Sequence, residues 1–207
     1  MSDFIYLASQ SPRRQELLKQ IGVRYEMLLP AASEDAESIE TPFPKEKALD
    51  YVKRVTLAKA SFALERWKNR NLPWAPILCA DTTVSLPNSE SGEILGKPTD
   101  ATDAYRILEM LSGKTHEVLT AVALINHPED APNCVVQISE VEFANLSSEQ
   151  IHTYIASQEP FGKAGAYGVQ GRASAFISRI NGSYSGIMGL PLFETVQLLD
   201  HARITRI

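Results

Sequence analysis

Two arginines stand at the start of a helix-like segment, directly after the first apolar stretch of the chain. Residues 7–22 read LASQSPRRQELLKQIG, and the proline before Arg13 and Arg14 suits the first turn of a helix. Positive side chains are unfavourable there, because the helix N-terminus already carries partial positive charge. A bound anion, held also by free N–H groups and the hydroxyls of Ser9 and Ser11, would offset that cost. Without one, the arginines would be solvated or paired with acidic residues.

Carboxylates occur at two places where they could do chemistry. Asp81 follows the apolar run ILCA, so we predict that it projects from the end of a strand, where α/β proteins often place functional groups. It could act as a general base, hold a metal ion, or cap a turn together with Thr82 and Thr83. Glu34 and Asp35 lie in a long, acidic, proline-containing loop and are the second source of carboxylate.

Two lysines also stand in unusual surroundings. One helical face is predicted to contain Val52, Val55, Lys59, Phe62 and Ala63. The ammonium of Lys59 must therefore either extend along this apolar face to solvent or reach into a cleft. Lys97 lies between a glycine and a proline, and this constrained backbone suits a positioned charge, although a surface lysine would also be tolerated there.

A glycine-rich segment, AGAYGVQG, covers residues 164–171. Glycines let the backbone approach a ligand closely, and Tyr167 and Gln170 are the polar side chains that could contact it. A plain glycine-rich turn is the alternative. The segment does not lie between a strand and a helix with dinucleotide-binding spacing. The four histidines show neither metal-ligand spacing nor a neighbouring nucleophile.

These residues are distributed over alternating strands and helices. Strands are predicted over residues 4–8, 25–29, 77–80 with a continuation over 83–86, 115–126, 134–146 with one bulge-like slip, and 175–180. Helices are predicted over residues 12–22, 44–67, 100–111, 148–157 and 190–202. Turns are predicted for PNSESGE and NGSYSG. The pattern predicts an α/β protein with one domain over residues 1–207.

Composition narrows the class of protein further. A formal net charge of −5 argues against a nucleic-acid surface, because phosphate-binding proteins concentrate positive charge. Cys79 and Cys134 lie in apolar runs and are too few for a disulfide framework, which favours a reducing compartment. The apolar stretch near the N-terminus is too short for a signal peptide or a membrane span. We therefore expect a soluble, cytoplasmic protein with no membrane partner.

Eight blocks of the sequence resemble, in order and nearly end to end, those of the Maf family of nucleoside triphosphate pyrophosphatases. They are LASQSPRR, the acidic ED loop, LAKA, ADTTV, LGKP, SGKTHEVLTAVAL, KAGAYGVQG and INGSYSGIMGLPLFET. The resemblance implies a Maf/inosine triphosphatase-like α/β fold, with two lobes of mixed sheet and helices around a central substrate cleft. It also implies house-cleaning hydrolysis of a nucleoside triphosphate to the monophosphate and pyrophosphate, with Mg²⁺ or Mn²⁺, and makes a homodimer plausible.

The resemblance also implies roles for individual residues. Asp81 corresponds to the family's general base, although metal binding by the same carboxylate stays open, and Glu34 or Asp35 would help to hold the metal. Cations are needed to gather and stabilise the phosphate charge. Those available are Arg13, Arg14, Lys59 and Lys97, with Ser9 beside the first two.

Three positions indicate the branch of the family. Arg13, Thr82 and Gln170 resemble the branch that acts on dTTP and UTP, whereas the 7-methyl-GTP branch has glutamine and glutamate at the last two positions. The amide of Gln170 can donate to a pyrimidine carbonyl and accept from its N3–H. The alternatives are a 7-methyl-GTP pyrophosphatase and a non-catalytic nucleotide-binding regulator of septum formation linked to cell-division arrest.

Overall fold

The computed structural model describes residues 3–31, 38–87 and 93–204, so Glu34 and Asp35 lie outside the described residues. The strands are β1 Ile5–Leu7, β2 Tyr25–Met27, β3 Ile77–Leu86, β4 Glu93–Leu95, β5 Thr115–Ile125, β6 Asn133–Phe143 and β7 Ile177–Asn181. The helices are α1 Pro12–Gln20, α2 Ala48–Asn69, α3 Ala101–Leu111, α4 Ser148–Ala156, α5 Tyr184–Met188 and α6 Leu192–His201. Short 3₁₀ turns cover Ser38–Glu40, Ala164–Ala166 and Arg172–Phe176.

The described strands form one mixed sheet, which confirms the predicted α/β class. Its order is β2-β1-β3-β5-β6-β7, and β4 pairs with β3 beside this path. β1 is parallel to both β2 and β3, whereas the pairs from β3 through β7 are antiparallel. Helix α2 packs on one face, through Ala60 and Ala63, while α1 and α6 cover the other. Each helix therefore approaches β3 from a defined side.

The prediction that Asp81 ends a strand is wrong. β3 runs through it, and Asp81 pairs with Ala121 of β5 in an uninterrupted ladder. Two β-branched threonines follow it, and they continue the extended backbone. Asp81 nevertheless lies at an opening of the sheet. Because β5 occupies one edge of β3, β1 and β4 share the other edge, where they pair with residues 77–78 and 84–86 and leave a gap around Asp81.

Several predicted elements differ from the structure in detail. Helix α2 begins at Ala48, because Lys45 has a φ of 60°, which is incompatible with a helix. Phe62 is 42% exposed and does not belong to the buried face of that helix. The segment predicted as a turn, NGSYSG, contains the start of α5, which Ser183 caps by accepting a hydrogen bond from the N–H of Gly186. The predicted bulge-like slip in β6, between Ile138 and Val141, is wrong: β6 pairs with β5 without interruption there, because the buried Ser139 shares the face of Val141 and Ile138 is exposed. A register shift against β7 occurs instead at residues 142–143.

Both cysteines are free thiols. Cys79 is fully buried beneath α2, and burial raises the pKa of its thiol to about 12. A thiol in that state is a poor nucleophile. Across the described ranges, no helix is both long enough and apolar enough to cross a membrane.

Gly165 in the glycine-rich segment, and Gly162 just before that segment, test how tightly this part of the chain packs on the sheet. Gly162 and Gly165 have φ values of 72° and 69°, but a Cβ on Gly165 would lie 2.7 Å from Val84 Cγ2, whereas one on Gly162 would meet open space. We expect Gly162→Ala to cost about 1 kcal/mol in the free energy of unfolding, from the backbone alone. Gly165→Ala should cost about 1–3 kcal/mol more, because of overpacking. Urea denaturation followed by circular dichroism measures both, and equal losses would contradict close packing at Gly165.

Candidate active site

The gap in the sheet opens into a cavity of about 740 Å³, which is within the range of small-molecule sites. Every sequence-predicted site residue that the structure describes lines this cavity: Ser9, Arg13, Arg14, Lys59, Asp81, Thr82, Lys97 and Gln170. They come from elements spread over almost the whole chain. The remaining two, Glu34 and Asp35, lie outside the described residues.

The alternation of side chains along β3 sends its two polar site residues in different directions. Asp81 follows the residues that face α2, such as Cys79, and therefore points toward Lys59 on that helix. Thr82 points to the opposite face, toward Arg14 on α1. One strand thus supplies a residue to each side of the cavity.

Lys59 lies at the centre of an ion-pair network. Its Nζ is 2.6 Å from Asp81 Oδ1 and 2.7 Å from Glu40 Oε1, and only 21% of its side chain is exposed. Burial disfavours the charged amine, but the two carboxylates outweigh this effect and raise the pKa of Lys59. Of the two outcomes considered for Lys59, the structure shows the one in which the ammonium reaches into the cleft.

Glu40 is a site residue that the sequence did not single out. It ends the 3₁₀ turn Ser38–Glu40, and its second oxygen, Oε2, accepts a hydrogen bond of 2.8 Å from Lys97 Nζ. Burial opposes ionisation of this carboxylate, but Lys59 and Lys97 dominate and lower the pKa of Glu40. In the sequence, Glu40 is one of several acidic residues of the same loop, and nothing in its spacing distinguishes it from the others.

The two arginines are held by backbone carbonyls at the C-terminal end of α5. Arg14 Nε donates to Gly189 O at 2.7 Å, and Arg13 Nε donates to Met188 O at 3.2 Å. Arg14 also donates to Ser9 Oγ at 3.0 Å. Burial lowers the pKa of both guanidinium groups, yet arginine stays charged at any physiological pH. Arg13 and Arg14 are therefore fixed at the start of α1 by carbonyl oxygens, and their role in binding an anion stays a prediction.

Thr82 belongs to a hydrogen-bond chain beneath Arg14. The buried Thr120, directly opposite Thr82 on β5, donates to Gly186 O at 2.8 Å. Its oxygen lies 2.9 Å from Thr82 Oγ1, so Thr82 is the donor of that pair and itself accepts from Arg14 Nη2 at 3.4 Å. The Thr82 hydroxyl hydrogen is thus already used within the protein.

The glycine-rich segment contributes Gln170 to the cavity, and Lys163, directly before that segment, is a further cation that the sequence pattern did not single out. Lys163 lines the same cavity, donates to the carbonyl of Glu159, and has its pKa lowered by burial and by Arg13. Tyr167 also borders the cavity, but it is only 6% exposed, and its hydroxyl pairs with His116 Nε2 at 2.9 Å. The interpretation of Tyr167 as a polar contact for a ligand is therefore replaced by a packing role.

The carboxylates of Asp81 and Glu40 provide a donor set that a divalent cation could use. Both contact the Lys59 ammonium, through Asp81 Oδ1 and Glu40 Oε1, so the two carboxylates lie close together. Over residues 3–31, 38–87 and 93–204, no group of three or more histidine, cysteine, aspartate or glutamate side chains forms a potential metal cage. Two carboxylates nevertheless fit Mg²⁺, which is commonly held by one or two carboxylates together with water and substrate phosphates.

The chain is similar to known proteins over almost its whole length. The family model described as Maf-like protein matches residues 4–202. The dTTP/UTP pyrophosphatase of Albidiferax ferrireducens is 60% identical over 200 residues, covering 97% of each chain, and that of Cupriavidus pinatubonensis is 55% identical over 204 residues, covering 99% of each. The Ham1 protein of Staphylococcus aureus is similar in fold, with a TM-score of 0.50 at 11% identity, covering 96% of this chain and 98% of the other. The chain belongs to the Maf family.

Proposed function

We propose that the protein is a nucleoside triphosphate pyrophosphatase that hydrolyses dTTP and UTP to the monophosphate and pyrophosphate. The observation that carries this proposal is Asp81, held beside Lys59 at the gap in the sheet, in a cavity lined by further cations. The name of the relatives, dTTP/UTP pyrophosphatase, indicates the substrates and the release of pyrophosphate. Modified pyrimidine nucleotides would fit the same chemistry.

The cations account for binding of the triphosphate. Arg13 and Arg14 lie on one side of the cavity and Lys59 and Lys97 on the other, with Lys163 near Arg13. In the structure their charges are balanced by backbone carbonyls and by Glu40 and Asp81. A triphosphate would bring oxygens to these donors and develop more negative charge as the bridging oxygen leaves, which the fixed cations stabilise.

Asp81 is the proposed general base. Lys59 contacts Oδ1, and Oδ2 would accept a proton from the attacking water. The water oxygen then bonds to the α-phosphorus. The bond from that phosphorus to the oxygen bridging the α- and β-phosphates breaks, and pyrophosphate leaves with the electron pair of the broken bond. A divalent cation, when bound, supplies neutralisation of phosphate charge, and Glu40 together with Asp81 is proposed to hold it. Glu34 and Asp35 keep their predicted metal role only as a hypothesis.

Replacing the proposed base tests the enzyme against the non-catalytic regulator. Pyrophosphate release from dTTP, UTP, CTP, GTP and 7-methyl-GTP, with Mg²⁺ or Mn²⁺, should favour dTTP and UTP. Asp81→Asn should reduce kcat by about 10²–10⁴-fold, because the proton acceptor is lost. Turnover of 7-methyl-GTP alone would point to the other branch, and equal, negligible turnover by wild type and variant would favour the regulator.

A negative charge at position 170 tests the proposed contact between Gln170 and the pyrimidine ring of the substrate. A carboxylate cannot donate to a pyrimidine carbonyl, so Gln170→Glu should lower kcat/KM for dTTP and UTP by about 10–100-fold. The matched control is Gln20→Glu, which makes the same chemical change on an exposed part of α1, outside the cavity. An unchanged kcat/KM in Gln170→Glu, at equal thermal stability, would show that Gln170 does not recognise the pyrimidine.

Three substitutions, each replacing a carboxylate with the neutral amide of the same shape, test which carboxylates hold the metal. Glu40→Gln should raise the Mg²⁺ concentration that gives half-maximal turnover by about tenfold, within the range measured for loss of groups that orient a metal. Glu34→Gln and Asp35→Asn provide the comparison for the original hypothesis. If either of these shifts the Mg²⁺ dependence and Glu40→Gln does not, the metal assignment moves to the loop residues.

A further inference from the structure

Three consecutive carbonyl groups around Glu40 all accept hydrogen bonds from side chains of α2. Arg54 Nη1 donates to Ile39 O at 3.0 Å, Tyr51 Oη donates to Glu40 O at 2.8 Å, and Arg54 Nη2 donates to Thr41 O at 3.1 Å. We infer that Tyr51 and Arg54 are positioning residues that present Glu40 to Lys59, Lys97 and the metal. The inference rests on the proposed function of Glu40. We call these two side chains and their three carbonyls the Glu40 clamp.

The guanidinium group of Arg54 is itself held in place. Glu46 receives Nε at 2.7 Å and Nη2 at 2.8 Å, and the ring of Phe43 lies 4.1 Å from Cζ. Glu46 Oε2 also accepts the N–H of Phe43 at 2.9 Å. The chain from Ile39 to Glu46 therefore wraps around one guanidinium group. A lysine could not replace it, because a single ammonium lacks the planar fork of donors.

Little buried apolar surface holds this part of the chain in place. The residues directly after Glu40 are exposed, and Phe43, the large apolar side chain among them, is 60% exposed. Polar contacts with α2 must therefore set the path of the backbone. Tyr51 and Arg54 lie three residues apart and so share one face of the helix. Lys59, farther along α2, contacts the Glu40 carboxylate, so one helix holds both the backbone and the side chain of this residue.

A double-mutant cycle tests the clamp. Arg54→Met and Tyr51→Phe should each raise the half-saturating Mg²⁺ concentration for dTTP turnover, by about tenfold for Arg54→Met and less for the milder Tyr51→Phe. In a Glu40→Gln background, the same substitutions should change it by less than about twofold, because the group they position is gone. Arg54→Lys should not restore the wild-type value. Equal shifts in both backgrounds would overturn the inference.

A matched control and a second readout separate positioning from loss of folding. Arg106 on α3 also forks onto a carboxylate, that of Asp103, but lies outside the cavity, so Arg106→Met should leave the Mg²⁺ dependence unchanged. Trypsin cleavage at the exposed Lys45 and Lys47 should accelerate in Arg54→Met if the clamp is released. If the wild type turns over no nucleotide, the proposed function fails, and trypsin cleavage becomes the test of the clamp. Equal cleavage rates in the wild type and Arg54→Met would then overturn the clamp.

Discussion

A partly buried ammonium shared by two carboxylates is the interaction on which the cleft depends. A charge removed from water needs a partner, and deleting one member of such a set leaves the others uncompensated. Lys59 meets this requirement with Asp81 and Glu40, and Glu40 extends the network to Lys97. The network therefore keeps like charges together in a small cavity before any triphosphate arrives. Phosphate oxygens could then replace the carboxylates as partners of the two lysines, and a divalent cation could replace the lysines as the partner of the carboxylates.

The sheet explains why these groups meet where they do. β1 and β4 pair with the same edge of β3 at different heights, and Asp81 lies in the interval between them. Alternation then turns Asp81 toward α2 and Thr82 toward α1. Cationic side chains can thus approach from both faces of the sheet and still line one opening. A residue at the end of a strand, as first predicted for Asp81, would have lacked this two-sided access.

Much of this arrangement is legible in the sequence because it depends on local chemistry. Hydrophobic periodicity predicts most helices and strands, and two arginines in the first turn of a helix favour an anionic ligand. Glu40 could not be predicted, because its selection from an acidic loop depends on backbone contacts with a distant helix. The hydrogen-bond partners of Thr82 were hidden for the same reason, since β-strand register decides them.

Helix α2 carries more of the site than its one predicted cation. Its apolar residues pack beneath the sheet, Lys59 joins both carboxylates, and Tyr51 and Arg54 hold the backbone that presents Glu40. A loop carboxylate on its own would lose conformational entropy each time it met its partners. Because Tyr51 and Arg54 bind three successive carbonyls, this conformational entropy is already lost when the protein folds. Glu40 is therefore held at the cleft through its backbone as well as through its carboxylate.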